Sequence, residues 1–349
     1  MNTYNVAIVG FGGMGDWHHE KIKTIENMVV LGTYDIKKER QEYAKQKGLK
    51  AYSNLESILS DKEVDIVLIA TPNDVHKDIA IQSLKAGKHV VCEKPVTLNS
   101  QELEEIIDTA NQCNKLFVVH QNRRWDEDFL TIKKIYDENI LGDVFTIESR
   151  VHGSRGIPGD WRQEKQHGGG MLLDWGVHIL DQMALIIPEK ITKVYCQFIH
   201  VTNYEVDDGF KIHLTFESGK TAFLEVGTSN FISLPRWYVL GENGTAVIED
   251  WNLNGKIIRA KGKAEKDAIP VKTAAGLTKT MAPRRPDTIF EEELPKQNAD
   301  VRDFYRNIIQ VLNGKEEIIV KNEQVLRIMR LIDTAFESAK LQQVVDFEK

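Results

Sequence analysis

The glycine-rich hexapeptide Gly10-Phe11-Gly12-Gly13-Met14-Gly15 follows the apolar run Asn5–Val9 and opens a helix-like stretch at about 14–26. In the spacing Gly-x-Gly-x-x-Gly each glycine has its own task. Gly10 permits a tight turn, Gly12 lets the backbone approach a pyrophosphate, and Gly15 lets the helix pack closely on the strand. Phosphates bound there meet unsatisfied N–H groups and the positive end of the helix dipole. Asp35 lies 20 residues beyond Gly15, at the end of the second strand-like run, where a carboxylate accepts hydrogen bonds from an adenosine ribose. This predicts a dinucleotide site. The same carboxylate would repel a 2′-phosphate, and about 1.4 kcal/mol is already tenfold in affinity, so NAD is expected over NADP. Lys37 and Lys38, at the start of the next helix, are expected to point to solvent.

Around that loop, short apolar runs alternate with helical patterns. Asn5–Val9, Val29–Tyr34, Ile66–Ala70, His89–Cys92 and Leu116–Val119 read as strands, with helix candidates near 14–26, 37–47, 54–60, 74–86 and 99–113. Nearly continuous apolar runs suit strands buried on both faces of a parallel sheet. The fold class predicted for residues 1–122 is therefore α/β, a Rossmann-type doubly wound parallel sheet. Beyond it the pattern changes. A helix is predicted at 126–138, a strand at Val144–Val151 and a helix over Gly170–Ile186. Strand candidates separated by turn residues then run from Lys193 to Glu249. Residues 123–349 thus read as an α+β domain with an open, largely antiparallel sheet, expected to bind substrate and carry oligomerisation. The stretch 259–298 is rich in Lys, Pro and Ala and weakly periodic, so it is expected to be a long loop or arm against the active-site mouth or a neighbouring subunit. Helices at about 298–313 and 322–342 close the chain.

Composition limits the partners. The 349 residues carry 45 Lys+Arg against 52 Asp+Glu, a net charge of −7, so no global positive field would draw in nucleic acid or an anionic membrane. No apolar run approaches the ~18–20 residues that span a bilayer, and the N-terminus has no basic region of the secretory kind. Cys92, Cys113 and Cys196 are odd in number and far apart, which fits neither a disulfide framework nor a zinc motif; a cytoplasmic setting is expected. His18 and His19 have no second histidine or cysteine at metal-ligand spacing, so no metal is predicted.

Two further groups have the chemistry of a hydride-transfer site. Oxidising an alcohol needs a hydride acceptor and a base for the hydroxyl proton. Lys94 follows the strand at 89–92, whose C-terminal end faces the crevice where ligands bind in such sheets. Asp174 and His178 are four apart in a predicted helix and share one face, and an unperturbed imidazole titrates near neutrality. Asp181 shares that face as an expected structural partner. Arg123 and Arg124 are expected to tie the two domains together.

Several motifs taken together resemble a family. Gly10–Gly15, Ala70-Thr71-Pro72-Asn73 with His76, Ala86-Gly87-Lys88-His89-Val90, Glu93-Lys94-Pro95, Asn122-Arg123-Arg124-Trp125-Asp126 and Gly168-Gly169-Gly170 through His178 fall in the order seen in the Gfo/Idh/MocA oxidoreductases. The resemblance covers essentially the whole chain, and the run Trp125–Leu130 looks most like the subgroup containing scyllo-inositol dehydrogenases. It implies a catalytic set of Lys94, Asp174 and His178. It also implies that Thr71, Pro72, Asn73, His76, Glu93, Lys94 and Asn122 join residues 10–15 and Asp35 around the cofactor, with a cis Lys94–Pro95 bond. Trp161 and Arg162 resemble the family's substrate-loop pair, and His152 and Arg155 are expected to line the same pocket as Lys94, Asp174 and His178. The open sheet pairs subunits in relatives, so a homodimer or homotetramer is expected. The function so implied is NAD-dependent dehydrogenation of a secondary alcohol on a cyclic polyol or sugar. The alternatives are a glycoside hydrolase that retains NAD and oxidises its substrate transiently, and a sugar-sensing regulator that binds dinucleotide without turnover. Lys94 and His178 speak against the regulator, which needs no proton relay.

Overall fold

The computed structural model describes residues 2–262, 269–278 and 282–348. The strands of the first sheet are β1 (Tyr4–Val9), β2 (Met28–Tyr34), β3 (Lys50–Ala51), β4 (Ile66–Ile69), β5 (His89–Cys92) and β6 (Phe117–Val119); the apolar runs β4, β5 and β6 and the second half of β1 are covered on both faces, while β2 and the short edge strand β3 are partly exposed. They form one parallel sheet in the order β3-β2-β1-β4-β5-β6. The helices between them are α1 (Gly13–Ile22), α2 (Lys38–Gln46), α3 (Leu55–Leu59), α4 (His76–Lys85) and α5 (Ser100–Cys113). The expected cap of α5 is present, with the Asn99 side chain accepting from the Glu102 N–H at 3.0 Å. Because the chain leaves β1 toward β2 on one side and returns to β4 on the other, the sheet has its topological switch point between β1 and β4. That is where ligands settle in such sheets.

After α6 (Glu127–Asp137) the strands lengthen and alternate. They are β7 (Val144–His152), β8 (Ile191–Ile199), β9 (Gly209–Phe216), β10 (Thr221–Gly227), β11 (Trp237–Gly241), β12 (Gly244–Ile248) and β13 (Gly255–Ala260). Along β9, Phe210, Ile212, Leu214 and Phe216 are turned inward while Lys211 faces solvent, the period-two pattern of a sheet covered on one side. The cover includes α7 (Val177–Ile186) and α9 (Asn322–Leu341), and α9 also packs on α5 and β6 of the first sheet. β7 and β10 pair in parallel, and the other strand pairs of this sheet are antiparallel.

Two expectations need correction. The stretch 259–298 is not loop throughout. β13 runs to Ala260, Val271–Thr273 and Gly276–Thr278 (β14 and β15) form their own hairpin, and Ile289–Glu292 (β16) pairs antiparallel with β13 at the sheet edge. Short, half-exposed edge strands have little apolar periodicity to read. Residues 263–268 and 279–281 of the expected arm lie outside the described residues. The helix expected over 170–186 is also not one α-helix. Leu172–Gly176 forms a π-helical turn before α7 begins. The chain then ends with α8 (Asp303–Leu312), α9 and the short strand Val345–Asp346 (β17) beside β8. None of the described helices is long and apolar enough to cross a membrane.

Candidate active site

The four glycines of the first loop answer to two different demands. Gly10 has φ +88°, and a Cβ there would come within 2.5 Å of the Ala70 carbonyl; a Cβ on Gly15 would lie 2.2 Å from the Gly10 carbonyl. The backbone itself therefore requires both. At Gly12 and Gly13 a Cβ would meet no atom within 4 Å. Their openness leaves room for a pyrophosphate. The α1 N-terminus has no side-chain cap, so its first amides are free to meet phosphate oxygens. Asp35 stands beside this loop, its carboxylate accepting from the Phe11 N–H (2.7 Å) and the Lys37 N–H (2.8 Å). Lys37 and Lys38 are exposed, as their helix-start position suggests, but Arg40 is not free: its Nε donates to the Phe11 carbonyl at 2.7 Å. Sequence reasoning missed Arg40, whose position one turn into α2 shows no motif.

The ends of β4, β5 and β6 supply the next layer. Thr71 Oγ1 and Asn122 Oδ1 are both buried without a partner, as polar atoms waiting for a ligand would be. The residues fit a dinucleotide. Asn73 instead donates to the Gly168 carbonyl (3.1 Å), and the His76 ring lies 3.1 Å from the Pro95 carbonyl and 2.9 Å from that of Thr71. These two side chains hold the loops around the Lys94–Pro95 bond, which is cis. Glu93 turns inward: one carboxylate oxygen lies 2.8 Å from His18 Nε2 and 2.7 Å from His120 Nδ1, while the other accepts the Lys94 N–H at 3.0 Å. The Tyr305 hydroxyl lies 2.6 Å from His18 Nδ1. The fold thus brings His120 beside His18, which spacing along the chain could not show. The three potential ligand atoms lie within 4.8 Å of one another, and hydrogen bonds among themselves occupy them.

Lys94 reaches across to the start of α7. Its Nζ donates to Asp174 Oδ1 (3.1 Å) and to the Asp174 carbonyl (3.0 Å), and Arg162 Nε lies 3.3 Å from the other Asp174 oxygen. Burial pushes the Asp174 carboxyl up, but the Lys94 and Arg162 cations outweigh it and hold it below its ordinary value. His178 is buried beside them with Nδ1 unpartnered. Desolvation, reinforced by the Lys94 and Arg123 charges, lowers its pKa well below the usual imidazole value. It is therefore a neutral imidazole at pH 7, where the sequence suggested a group titrating near neutrality.

A cleft of about 380 Å³ opens over Asp174, bounded by Arg123, His152, Trp175, Thr228 and Trp251 among others. His152 lies in its wall, with its Nε2 3.6 Å from Glu225. Trp161 sits under the Arg162 guanidinium at 4.5 Å; neither of them is among the residues bounding this cleft, and nor is the exposed Arg155, so of the expected substrate-loop residues Arg162 reaches the site through Asp174. Trp251 escaped the sequence reading because nothing local to the turn between β12 and β13 marks it.

Asp207 was missed as well. Its carboxylate accepts the Leu172 N–H (2.9 Å) and its carbonyl the Met171 N–H (3.1 Å), at the start of the segment that carries Asp174. Gly170, at φ +100°, makes room for it, since a Cβ there would lie 2.3 Å from Asp207 Oδ1. Burial pushes this carboxyl up to about 8. The native state therefore keeps a proton that the unfolded chain releases near pH 4, and stability should fall between about pH 4 and 8, by at most about 1.4 kcal/mol per pH unit, then level off. Asp207→Asn retains a neutral group and should lose that slope. Thermal unfolding at pH 5, 7 and 9 should show the variant gaining on the wild type as pH rises; a constant difference would disprove the assignment.

Comparison with known proteins fixes the family. Residues 4–121 match the model of the oxidoreductase family with an NAD-binding Rossmann fold, and residues 129–247 match the GFO/IDH/MocA C-terminal domain. The chain belongs to the GFO/IDH/MocA oxidoreductase family. Among relatives in this family, scyllo-inositol 2-dehydrogenase (NADP(+)) IolW of Bacillus subtilis is 30% identical, with 100% of this chain and 97% of the relative aligned. Myo-inositol 2-dehydrogenase of Thermotoga maritima is 26% identical over 63% of this chain and 67% of its own length. The crystal structure of an NAD-binding protein from Listeria innocua is 49% identical, superposes with a TM-score of 0.96, and matches over 99% of this chain and 100% of its own. The Rossmann sheet and the largely antiparallel second sheet expected from the sequence are both present in this oxidoreductase.

Proposed function

We propose that this oxidoreductase is an NAD-dependent dehydrogenase acting on a secondary alcohol of a cyclic polyol or sugar, of the inositol or aldose kind. The observation that carries the reading is Lys94 Nζ held 3.1 Å from Asp174 Oδ1, with Asp174 on the cleft and Lys94 at the end of β5. When bound, the dinucleotide supplies the hydride acceptor. Residues 10–15 hold its pyrophosphate, Asp35 its adenosine ribose, and the orphaned atoms of Thr71 and Asn122 meet its remaining polar groups. Asp174 orients the substrate hydroxyl between Lys94 and Arg162. Lys94 passes the hydroxyl proton toward the buried His178, whose unpartnered Nδ1 is the proposed acceptor. His152 and the Trp161–Arg162 loop complete the substrate wall.

NAD is favoured over NADP by the Asp35 carboxylate and by the 49%-identical NAD-binding relative, while IolW is a relative named for NADP(+). The outer face of the second sheet carries half-exposed Tyr195 and Phe223, with His213 stacked on Phe223 at 4.3 Å, and is the proposed pairing surface of a homodimer or homotetramer. The cysteines are free in the structure, which suits a reducing cytoplasm.

A panel of inositols and aldoses with NAD⁺ and NADP⁺, followed as reduced-cofactor absorbance, tests the reading. Stoichiometric NADH release separates a dehydrogenase from an enzyme that recycles its NAD. The wild type should favour NAD⁺, and Asp35→Ser should lose much of that preference because ribose acceptor and repulsive charge go together. Equal or better kcat/KM with NADP⁺ in the wild type would overturn the cofactor assignment.

A further inference from the structure

Trp251 is half exposed on a turn that leaves it little freedom. Asp250 Oδ1 accepts from the Asn252 N–H (2.9 Å) and the Asn254 N–H (3.3 Å), its Oδ2 from the Asn254 amide (2.8 Å), and Leu253 takes a positive φ of 61°. The indole is held beside other planar groups. Trp175 lies 5.9 Å away at 44°, the buried Arg236 guanidinium lies 4.9 Å from the Trp251 ring, and Arg123 lies 4.1 Å from Trp175 and 5.5 Å from Trp251. Part of its remaining surface lines the cleft over Asp174, and part a second depression beside Trp125 and Leu253. A large, preorganised apolar face beside charged and hydrogen-bonding groups suits a ligand with one C–H face and a polar rim.

We infer that Trp251, with Trp175 beside it, is the platform on which the substrate ring lies, and that it selects cyclic polyols presenting a face of axial hydrogens. This rests on the polyol dehydrogenase reading above. The stereochemistry follows from chair geometry. Where every hydroxyl is equatorial, as in scyllo-inositol, each face shows only axial C–H bonds and the hydroxyls point outward to the rim. Asp174, His152 and Thr228 are there to meet them. In chiro-inositol two adjacent axial hydroxyls point to opposite faces, so either face would press a hydroxyl onto the indole without a partner. An unpartnered polar group of that kind weakens binding roughly ten- to hundredfold.

The experiment compares scyllo- and chiro-inositol on wild type, Trp251→Ala and Trp251→Phe, by kcat and KM and by calorimetric titration of the NAD-loaded protein. The wild type should favour scyllo-inositol roughly ten- to hundredfold. Trp251→Ala should lose most of that preference through a higher KM for scyllo-inositol, with NAD binding unchanged, and Trp251→Phe should keep much of it. If scyllo-inositol binds in preference and Trp251→Ala abolishes the preference, yet neither ring is oxidised, the platform stands and the dehydrogenase reading falls. If both rings bind equally well, if neither binds, or if the preference survives Trp251→Ala, the platform is overturned, whatever is oxidised.

Discussion

Lys94→Ala should lower turnover by ~10²–10⁴ while leaving NAD binding nearly intact, the usual worth of a positioned proton-transfer group, or about 3–5 kcal/mol of barrier. The separation follows from where the contacts lie. Pyrophosphate and ribose are assigned to residues 10–15 and Asp35, at the ends of β1 and β2, whereas Lys94 spans to Asp174 from the end of β5. Loss of the ammonium also leaves Asp174 with Arg162 as its remaining close cation. His178→Ala should produce a comparable fall, and the double variant should be little worse than the worse single one if the two act as a relay. Stopped-flow hydride transfer beside a fluorescence titration of cofactor checks both halves. Full turnover in Lys94→Ala would move the chemistry to His178 alone, and retained turnover in both singles would place it elsewhere in the cleft.

Asp181→Ala should destabilise the fold by about 3–5 kcal/mol, because it strands a buried cation. Arg124, in the turn after β6, makes a two-pronged contact with Asp181 on α7: Nε to Oδ2 at 2.8 Å and NH2 to Oδ1 at 2.6 Å, with both side chains buried. Its third nitrogen donates to Gln324 Oε1 (2.9 Å) at the start of α9. One guanidinium therefore joins the exit of the first sheet to the helix after the turn that carries Asp174 and to the helix that spans both sheets. Asp181→Asn keeps one acceptor and should lose less. Denaturant midpoints give the measurement, and a loss under about 1 kcal/mol in Asp181→Ala would mean that the pair contributes no more than a surface contact. The sequence suggested a structural role for Asp181 and a tying role for Arg124, but it could not say that they meet.

That difference marks what the chain discloses by itself. The glycine loop, Asp35 and the strand–helix alternation are local, and short-range stereochemistry suffices to read them. Lys94 was legible as a residue just past a buried strand, and Asp174 through its motif. The resemblance sets Glu93 around the cofactor, and nothing near it in the chain announces His120, 27 positions away, or Tyr305 behind His18. Trp251, Arg40 and Asp207 act through contacts between distant segments, which periodicity does not encode. The edge strand Ile289–Glu292 was lost in a weakly apolar stretch for the same reason. The π-helical turn was read as α because an i, i+4 apolar spacing barely distinguishes the two over five residues.

That turn bears on how a change of length here would affect the site. A π turn holds one residue more than the α-helical count, and α7 continues from it with Ile179, Leu180 and Met183 already buried. Removing that extra residue would return the turn to the α-helical count, so α7 and its buried apolar face could keep their place. Asp174 would then stand three residues before His178 instead of four, and its carboxylate would be re-aimed relative to Lys94 and Arg162. The extra residue thus sets where the Asp174 carboxylate points, and a change of length inside this turn would alter the site without disturbing the core around it.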